Sequence, residues 1–288
     1  MKTFLELSAL ILILIGFSGC AMQPPSHWQG ASPDIEAPES EALAQEAQQL
    51  FEVATDRESL LSSIAAFEKV LVKNPGDYST LTVLSNQYIL LGTAYTKRRG
   101  EKSRHFNQAM RYAELSMYSN EAYKQRVSSG TPIWDATEAL EKAQVEAMFF
   151  WVTAVQYDFK EGMNMVATIV NVRWMAHGLK FLDRIEQVAP GFGGGGVEFA
   201  KVICYLVLPK SMGGSESMAD EYMRRSITRS DGWLLPRWAR GKYYYEVKGE
   251  PGKARVDLEW VASQNLEHFN DPIPWKVHFQ ENARELLK

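Results

Sequence analysis

The run Gly191-Phe192-Gly193-Gly194-Gly195-Gly196 is the one stretch dense enough in glycine to suggest a phosphate cradle, since glycines let backbone N–H groups close on an anion at a helix start. No Lys-Ser or Lys-Thr follows it and no strand pattern precedes it, so the run is expected to be a flexible loop between helices. Met212-Gly213-Gly214-Ser215 looks similar. Ser215, however, stands directly before a helical stripe of Ala219, Tyr222, Met223, Ser226 and Ile227. Its hydroxyl is expected to accept from the free N–H groups of that helix's first turn, with Gly213 and Gly214 forming the turn, and Pro190 and Pro209 are expected to mark the ends of other helices.

His27, His105, His177, His268 and His278 show no metal-ligand spacing and no pairing with cysteine. Cys204 lies in an apolar stretch and reads as a buried thiol rather than a nucleophile. The sequence has no Gly-x-Ser-x-Gly, Cys-x-x-Cys or His-Glu-x-x-His. Paired carboxylates for glycan cleavage would need two acids converging in a cleft; Asp135 and Glu138 are candidates, with no motif around them. The expectation is therefore no catalytic site, no metal and no cofactor.

Aromatic residues carry more information. The chain holds 8 Trp, 12 Tyr and 13 Phe, grouped at Phe149-Phe150-Trp151, Trp174 and Tyr243-Tyr244-Tyr245. Successive residues lie about 100° apart around a helix, so three consecutive rings cannot share one core face. At least one of each triplet must meet another helix layer, a groove or a partner. Burial between layers accounts for any single ring; an apolar groove with a few polar groups at its mouth is the binding alternative. For that groove Phe150, Trp151, Trp174 and Arg173 are the candidates, Arg173 as a carboxylate partner or a surface ion pair.

The elements that would position these side chains are helices. Ile64, Phe67, Val70 and Leu71 recur at helical spacing and stop at Asn74-Pro75-Gly76-Asp77, and Leu81, Leu84, Tyr88, Leu91 and Tyr95 begin the next stripe. Phe67 to Pro75 resembles the end of a tetratricopeptide repeat, and similar cassettes recur at Ala109 to Glu121, Gly178 to Pro190, Ala219 to Asp231 and Ala254 to Val261. Their ends, Pro75, Glu121, Pro190 and Asp231, are unevenly spaced against a regular period of about 34 residues. The expected fold is all-α, a tetratricopeptide-like solenoid with degenerate repeats and insertions such as Lys97 to Arg104. Val202 to Leu208 is β-branched but reads as a buried helix.

Ahead of this body the chain carries Lys2, an apolar run from Leu7 to Phe17, then Ser18-Gly19-Cys20. That reads as a secretory signal peptide, too short to span a bilayer, and Phe17-Ser18-Gly19-Cys20 resembles the bacterial lipobox. Residues 1–20 would be the signal peptide ending at a lipidated Cys20. Ala21 in place of Asp points to the outer membrane, with the body in the periplasm. Residues 21–39, with Pro24, Pro25, Pro33 and Pro38, read as a flexible tether, and 40–288 as one helical domain whose only hold on a membrane is its lipid. The whole chain, 288 residues with 45% hydrophobic and 23% charged types and a net charge of −4, has the profile of a folded protein and no basic footprint for nucleic acid.

Residues 189–196 (Ala-Pro-Gly-Phe and four glycines), 206–219 (Leu-Val-Leu-Pro-Lys-Ser-Met-Gly-Gly-Ser-Glu-Ser-Met-Ala) and 222–227 (Tyr-Met-Arg-Arg-Ser-Ile) together resemble the TRAP transporter TatT component family. There, a proline or aspartate turn ends a repeat helix and a Pro-x-x-x-Gly-Gly element opens the next. Ala147 to Ala154 looks like that family's aromatic helix, and the likeness covers roughly residues 45–265. It implies a lipid-anchored homotrimer that docks the solute-binding protein of a tripartite ATP-independent periplasmic transporter and helps deliver a small apolar or carboxylate ligand. A repeat lipoprotein scaffold for envelope or outer-membrane protein assembly is the competing reading, distinguished by a groove for an extended segment.

Overall fold

A computed structural model of the protein describes residues 37–288. The signal peptide, Cys20 and the tether up to residue 36 lie outside the described residues. Every regular element among the described residues is helical, so the chain is all-α. Helix α1 (Ala37–Glu52) takes in the last three residues of the expected tether, 37–39. Pro38 thus sits in its first turn, where a missing N–H leaves no intrahelical bond unmade.

The first stripes fold as read. In α2 (Arg57–Lys73) a capping box between Asp56 and Ser59 starts the helix, which gives way at Asn74; Asp77 then caps α3 (Tyr78–Tyr95) through Thr80 N. Helix α3 is buried nearly all round, unlike an amphipathic surface helix. Its polar side chains therefore need partners inside the protein. Ser85 donates to Ala109 O at 2.9 Å, Gln87 to Ser63 Oγ at 2.9 Å, and Asn86 accepts from Trp275 Nε1 at 2.7 Å. The expected insertion at 97–104 is largely the start of α4 (Arg99–Met117), followed by α5 (Glu121–Ser128).

Helix α6 (Val145–Tyr157) runs into a π-helical turn, Asp158–Gly162, before α7 (Met165–Asn171) and α8 (Arg173–Val188). Then come α9 (Gly196–Val207), which contains the β-branched stretch as a helix, and α10 (Glu216–Thr228). Helix α11 (Leu235–Ala239) passes through a second π turn, Arg240–Tyr244, into α12 (Tyr245–Lys248). The region after Gly249 forms α13 (Pro251–Ser263) and α14 (Ile273–Leu286), packed together. The segment at Asp271-Pro272, just before α14, has a definite task. Asp271 accepts from Leu234 N at 2.7 Å, joining the start of α14 to the start of α11. Helix α14 also packs on α1, so the last helix meets the first, and one core runs from Ala47 to Ala283.

The glycine run is not the flexible loop expected of it. Gly194, Gly195 and Gly196 are buried, and Gly193, Gly194 and Gly195 all hold positive φ. A Cβ on Gly194 would lie 2.2 Å from Trp233, and one on Gly195 2.3 Å from Ser226 O. The glycines are there because the turn between α8 and α9 is pressed against α10 and the residues that follow it.

Candidate functional site: a charged cluster between two π turns

Pro190 follows Ala189 at the end of α8, and Pro209 O accepts from Met212 N at 2.8 Å and Gly214 N at 3.0 Å. Gly213 has φ +96°, a Cβ on Gly214 would meet Leu208 O, and Ser215 Oγ accepts from Met218 N at 3.2 Å.

The proposed groove residues divide. Trp151 is fully buried and Trp174 nearly so; their rings stack at 5.7 Å, and Trp151 also lies 4.8 Å from Phe181. Trp151 Nε1 donates to Glu114 at 3.0 Å. Phe150 is half-buried against the same core, whereas Arg173 is exposed. The structure thus brings the two tryptophans together as a core contact between α6 and α8 and leaves Arg173 on the surface, because adjacent residues point about 100° apart. Asp135 and Glu138 are each engaged by a different cation, Lys180 and Arg126. Cys204 is buried, with burial pushing its thiol up to about 12 and Gln156 donating to Sγ at 3.3 Å.

A different group of residues forms the most unusual electrostatic environment. The two π turns face each other, and widened turns of this kind are frequent at functional sites. From the first, Glu161 accepts from Lys102 of α4 and from Thr93 Oγ1 of α3 at 3.1 Å. From the second, Lys242 Nζ lies 3.8 Å from Glu161, and Tyr243 OH is 3.5 Å from it. Lys160 of the first turn and Glu246, in α12 just past the second, pair at the surface 2.9 Å apart. Lys242 also lies 4.7 Å from the ring centre of Trp238 and 4.8 Å from that of Tyr243, a cation–π arrangement. Helix α14 closes the cluster with His278, which packs edge-on to Trp238 at 5.6 Å and to Trp275 at 5.9 Å.

Burial pushes the Lys242 ammonium down to about 8, helped by Lys102 and Lys160 and opposed by Glu161. His278 is pushed down to about 3, first by burial and then by the charges of Lys242 and Lys102, so it is neutral at pH 7. Its Nε2 has no hydrogen-bond partner. Tyr157 and Tyr243 are held well above the ordinary tyrosine range by burial, with Glu161 adding to the effect. Perturbed groups gathered in this way mark candidate functional sites. The side chains of Lys102, Glu161 and Lys242 remain 14–17% exposed, so solvent reaches the cluster.

Sequence reasoning missed this site. The triplet Tyr243-Tyr244-Tyr245 was a partial signal: Tyr243 turns inward to Trp238, Tyr244 donates to Asp220 at 2.7 Å, and Tyr245 lies beneath Arg240. Nothing in the periodicity marks a π turn. Two shallow surface depressions add little, one of about 220 Å³ beside Thr82 and Phe192, the other of about 310 Å³ beside Arg224 and Tyr244. Among the described residues no three His, Cys, Asp or Glu side chains converge as a metal site, and no helix is long and apolar enough to cross a membrane. No protein-family profile and no curated protein matches the chain.

Proposed function

We propose that the protein is a lipid-anchored periplasmic accessory component of the tripartite ATP-independent periplasmic kind, held at the outer membrane through Cys20. In this reading its tetratricopeptide-like helix pairs dock a solute-binding protein, it works as a homotrimer, and it holds a small apolar or carboxylate ligand without catalysing a reaction. The observation that carries the ligand-holding part is the solvent-reached, cation-rich cluster of Lys102, Glu161 and Lys242 beside Trp238. The docking part leans on the resemblance alone, whose motif residues occupy positions that tolerate little else: Gly195 against Ser226 O, Gly214 against Leu208 O, and Ser215 as the cap of α10. Packing of α14 on α1 leaves less open edge for an extended peptide to lie along, which favours this reading over an envelope-assembly scaffold.

Expression in a diderm bacterium tests it directly. The expected outcome is acyl labelling that Cys20→Ser abolishes, a trimer by native mass spectrometry, and capture of a periplasmic solute-binding protein by cross-linking. A monomer that instead captures outer-membrane β-barrel precursors would replace this reading with the assembly scaffold.

A further inference from the structure

We propose that the outer face of α7 and α8 lies on an anionic phospholipid surface, a second hold on the membrane besides the lipid. Met165, Val166 and Ile169 enter the boundary between headgroups and acyl chains, and Arg173, Lys180 and Arg184 face the phosphates. The proposal rests on the membrane placement in the reading above and is independent of partner docking.

The argument begins with a stretch of chain that carries no charge. From Gly162 to Val172 the sequence is Gly-Met-Asn-Met-Val-Ala-Thr-Ile-Val-Asn-Val, and α7 occupies its middle. Of the residues of α7 only Ala167 and Asn171 are buried. Met165 is 77% exposed, Ile169 67% and Val166 45%. The helix is held by its cap, Asn164 Oδ1 accepting from Ala167 N at 2.9 Å, while its large apolar side chains point into solvent.

The cations share that face. Val172 joins α7 to α8 with helical angles, φ −53° and ψ −30°, so the helical path continues from one into the other. At about 100° per residue, Val166, Ile169, Arg173, Lys180 and Arg184 point within about 40° of one direction, and the buried Ala167 and Asn171 point away from it. Arg173 is exposed and pairs with no carboxylate among the described residues. Arg184 donates to Leu140 O at 2.7 Å and to Gln187, which leaves its charge unmatched, and Lys180 pairs with Asp135 at the surface. The acids of α8 that flank this stripe, Asp183 and Glu186, turn aside to Lys201. Half-buried Trp134 stacks on His177 beside the stripe at 3.9 Å, and tryptophan is favoured at headgroup level.

Apolar side chains and cations on one outward face are how a helix lies in a membrane interface, and basic residues there gain from the negative potential of anionic lipid. A second copy of the chain fits less well. Three side chains present a few hundred Å² at most, against about 800 Å² per partner in a stable interface, and a twofold contact would set the cations against themselves. The chain ahead of α1 points to the same occupant. Residues 21–36, between Cys20 and α1, span at most ~55 Å when fully extended, on the order of the domain's own diameter. A lipid on Cys20 therefore holds this face within reach of the bilayer.

The test uses the full chain on vesicles of three parts phosphatidylcholine to one of phosphatidylglycerol, with an environment-sensitive fluorophore on Met165→Cys and doxyl-labelled lipid as quencher. Val72→Cys, exposed on α2 outside this face, carries the same probe as a control, and the unsubstituted chain corrects for labelling elsewhere. Strong quenching at 165 and none at 72 is expected. Adding Arg173→Gln should lower the ratio of docked to undocked face about fivefold, and adding Ile169→Asp should lower it further. On pure phosphatidylcholine the effect of Arg173→Gln should vanish. These positions are exposed, and thermal melting checks that each variant keeps its fold. Three results would overturn the proposal: no quenching at 165 on vesicle-bound chain, equal quenching at 165 and 72, or quenching indifferent to both Arg173→Gln and Ile169→Asp. A probe at 165 that is unquenched yet shielded from aqueous iodide, in an oligomeric chain, gives the face to a second copy instead. Acylation of Cys20 is scored separately by mass. A chain without the acyl group that still binds vesicles and is quenched at 165 removes the anchoring function and leaves the membrane face standing; one that also fails to float with vesicles overturns both.

Discussion

Glu114 provides a sharp test of how the core is put together. Its carboxylate on α4 accepts from Trp151 Nε1 at 3.0 Å, beside the contact between α6 and α8. Burial raises the group from its ordinary 4.5 to about 7, against the opposing pull of the Trp151 hydrogen bond and Arg111. A carboxyl whose folded pKa exceeds its unfolded one binds protons more readily in the native state. Stability is therefore lost as pH rises through the window from about 4.5 to 7, and the full cost of the buried charge is present above it. One pKa unit corresponds to about 1.4 kcal/mol, which caps the effect near ~3 kcal/mol. Because Glu114 is only half-buried by surface area, we expect about 1–2 kcal/mol. Glu114→Gln keeps an acceptor for Trp151 and removes the charge. Urea denaturation followed by tryptophan fluorescence should show the variant equal to the wild type near pH 4.5 and more stable by that amount at pH 8. Asp158 and Asp271, both raised by burial to about 6, and His278, lowered by burial, shape the absolute profile of both proteins and cancel in the difference. A pH-independent difference, or a variant less stable at pH 8, would refute the reasoning.

Other outcomes follow from single contacts. Gly191→Ala, at φ +86° in open space, should cost only about 1–2 kcal/mol of left-handed strain; Gly195→Ala, at φ +92° and facing Ser226 O at 2.3 Å, should cost clearly more, as the two denaturation midpoints will show. Trp275→Phe removes the donor to Asn86 and should destabilise by about 1–3 kcal/mol, with faster hydrogen exchange in α14. Lys201 lies almost wholly buried between Asp183 and Glu186. Those partners keep contact with water and Arg225 still holds Glu186, so Lys201→Met should cost less than the roughly 3–5 kcal/mol of stranding a buried charge. Cys204 should resist a thiol reagent in native protein and react fully once urea unfolds it.

Helices such as α2, α3 and α10 were legible because their signals are local. Phe67 and Val70 face the core at the spacing that predicts it, and Asp77 and Ser215 cap the helices that follow them. The glycine run was misread as loose because the need for glycine at 194 and 195 comes from Trp233 and Ser226, some thirty to forty residues away along the chain. Trp151 and Trp174 were put forward as groove residues, but only packing decides that such rings face each other rather than a ligand. The Lys102, Glu161, Lys242 and His278 cluster was invisible for a stronger version of the same reason. Its members come from four separate elements, two of them π turns that break the helical period any sequence pattern relies on.

What the sequence determined alone was thus the all-α class, the helices with clear apolar stripes and the cap at Ser215, all governed by hydrophobic periodicity and backbone chemistry within a few residues. Tertiary structure alone decided which polar groups would be buried together. The burial of Glu114, His278 and Lys242, and the charge imbalance around Glu161, arise only when α4, α6, the second π turn and α14 meet, because desolvation and Coulomb interaction depend on distance through space rather than along the chain.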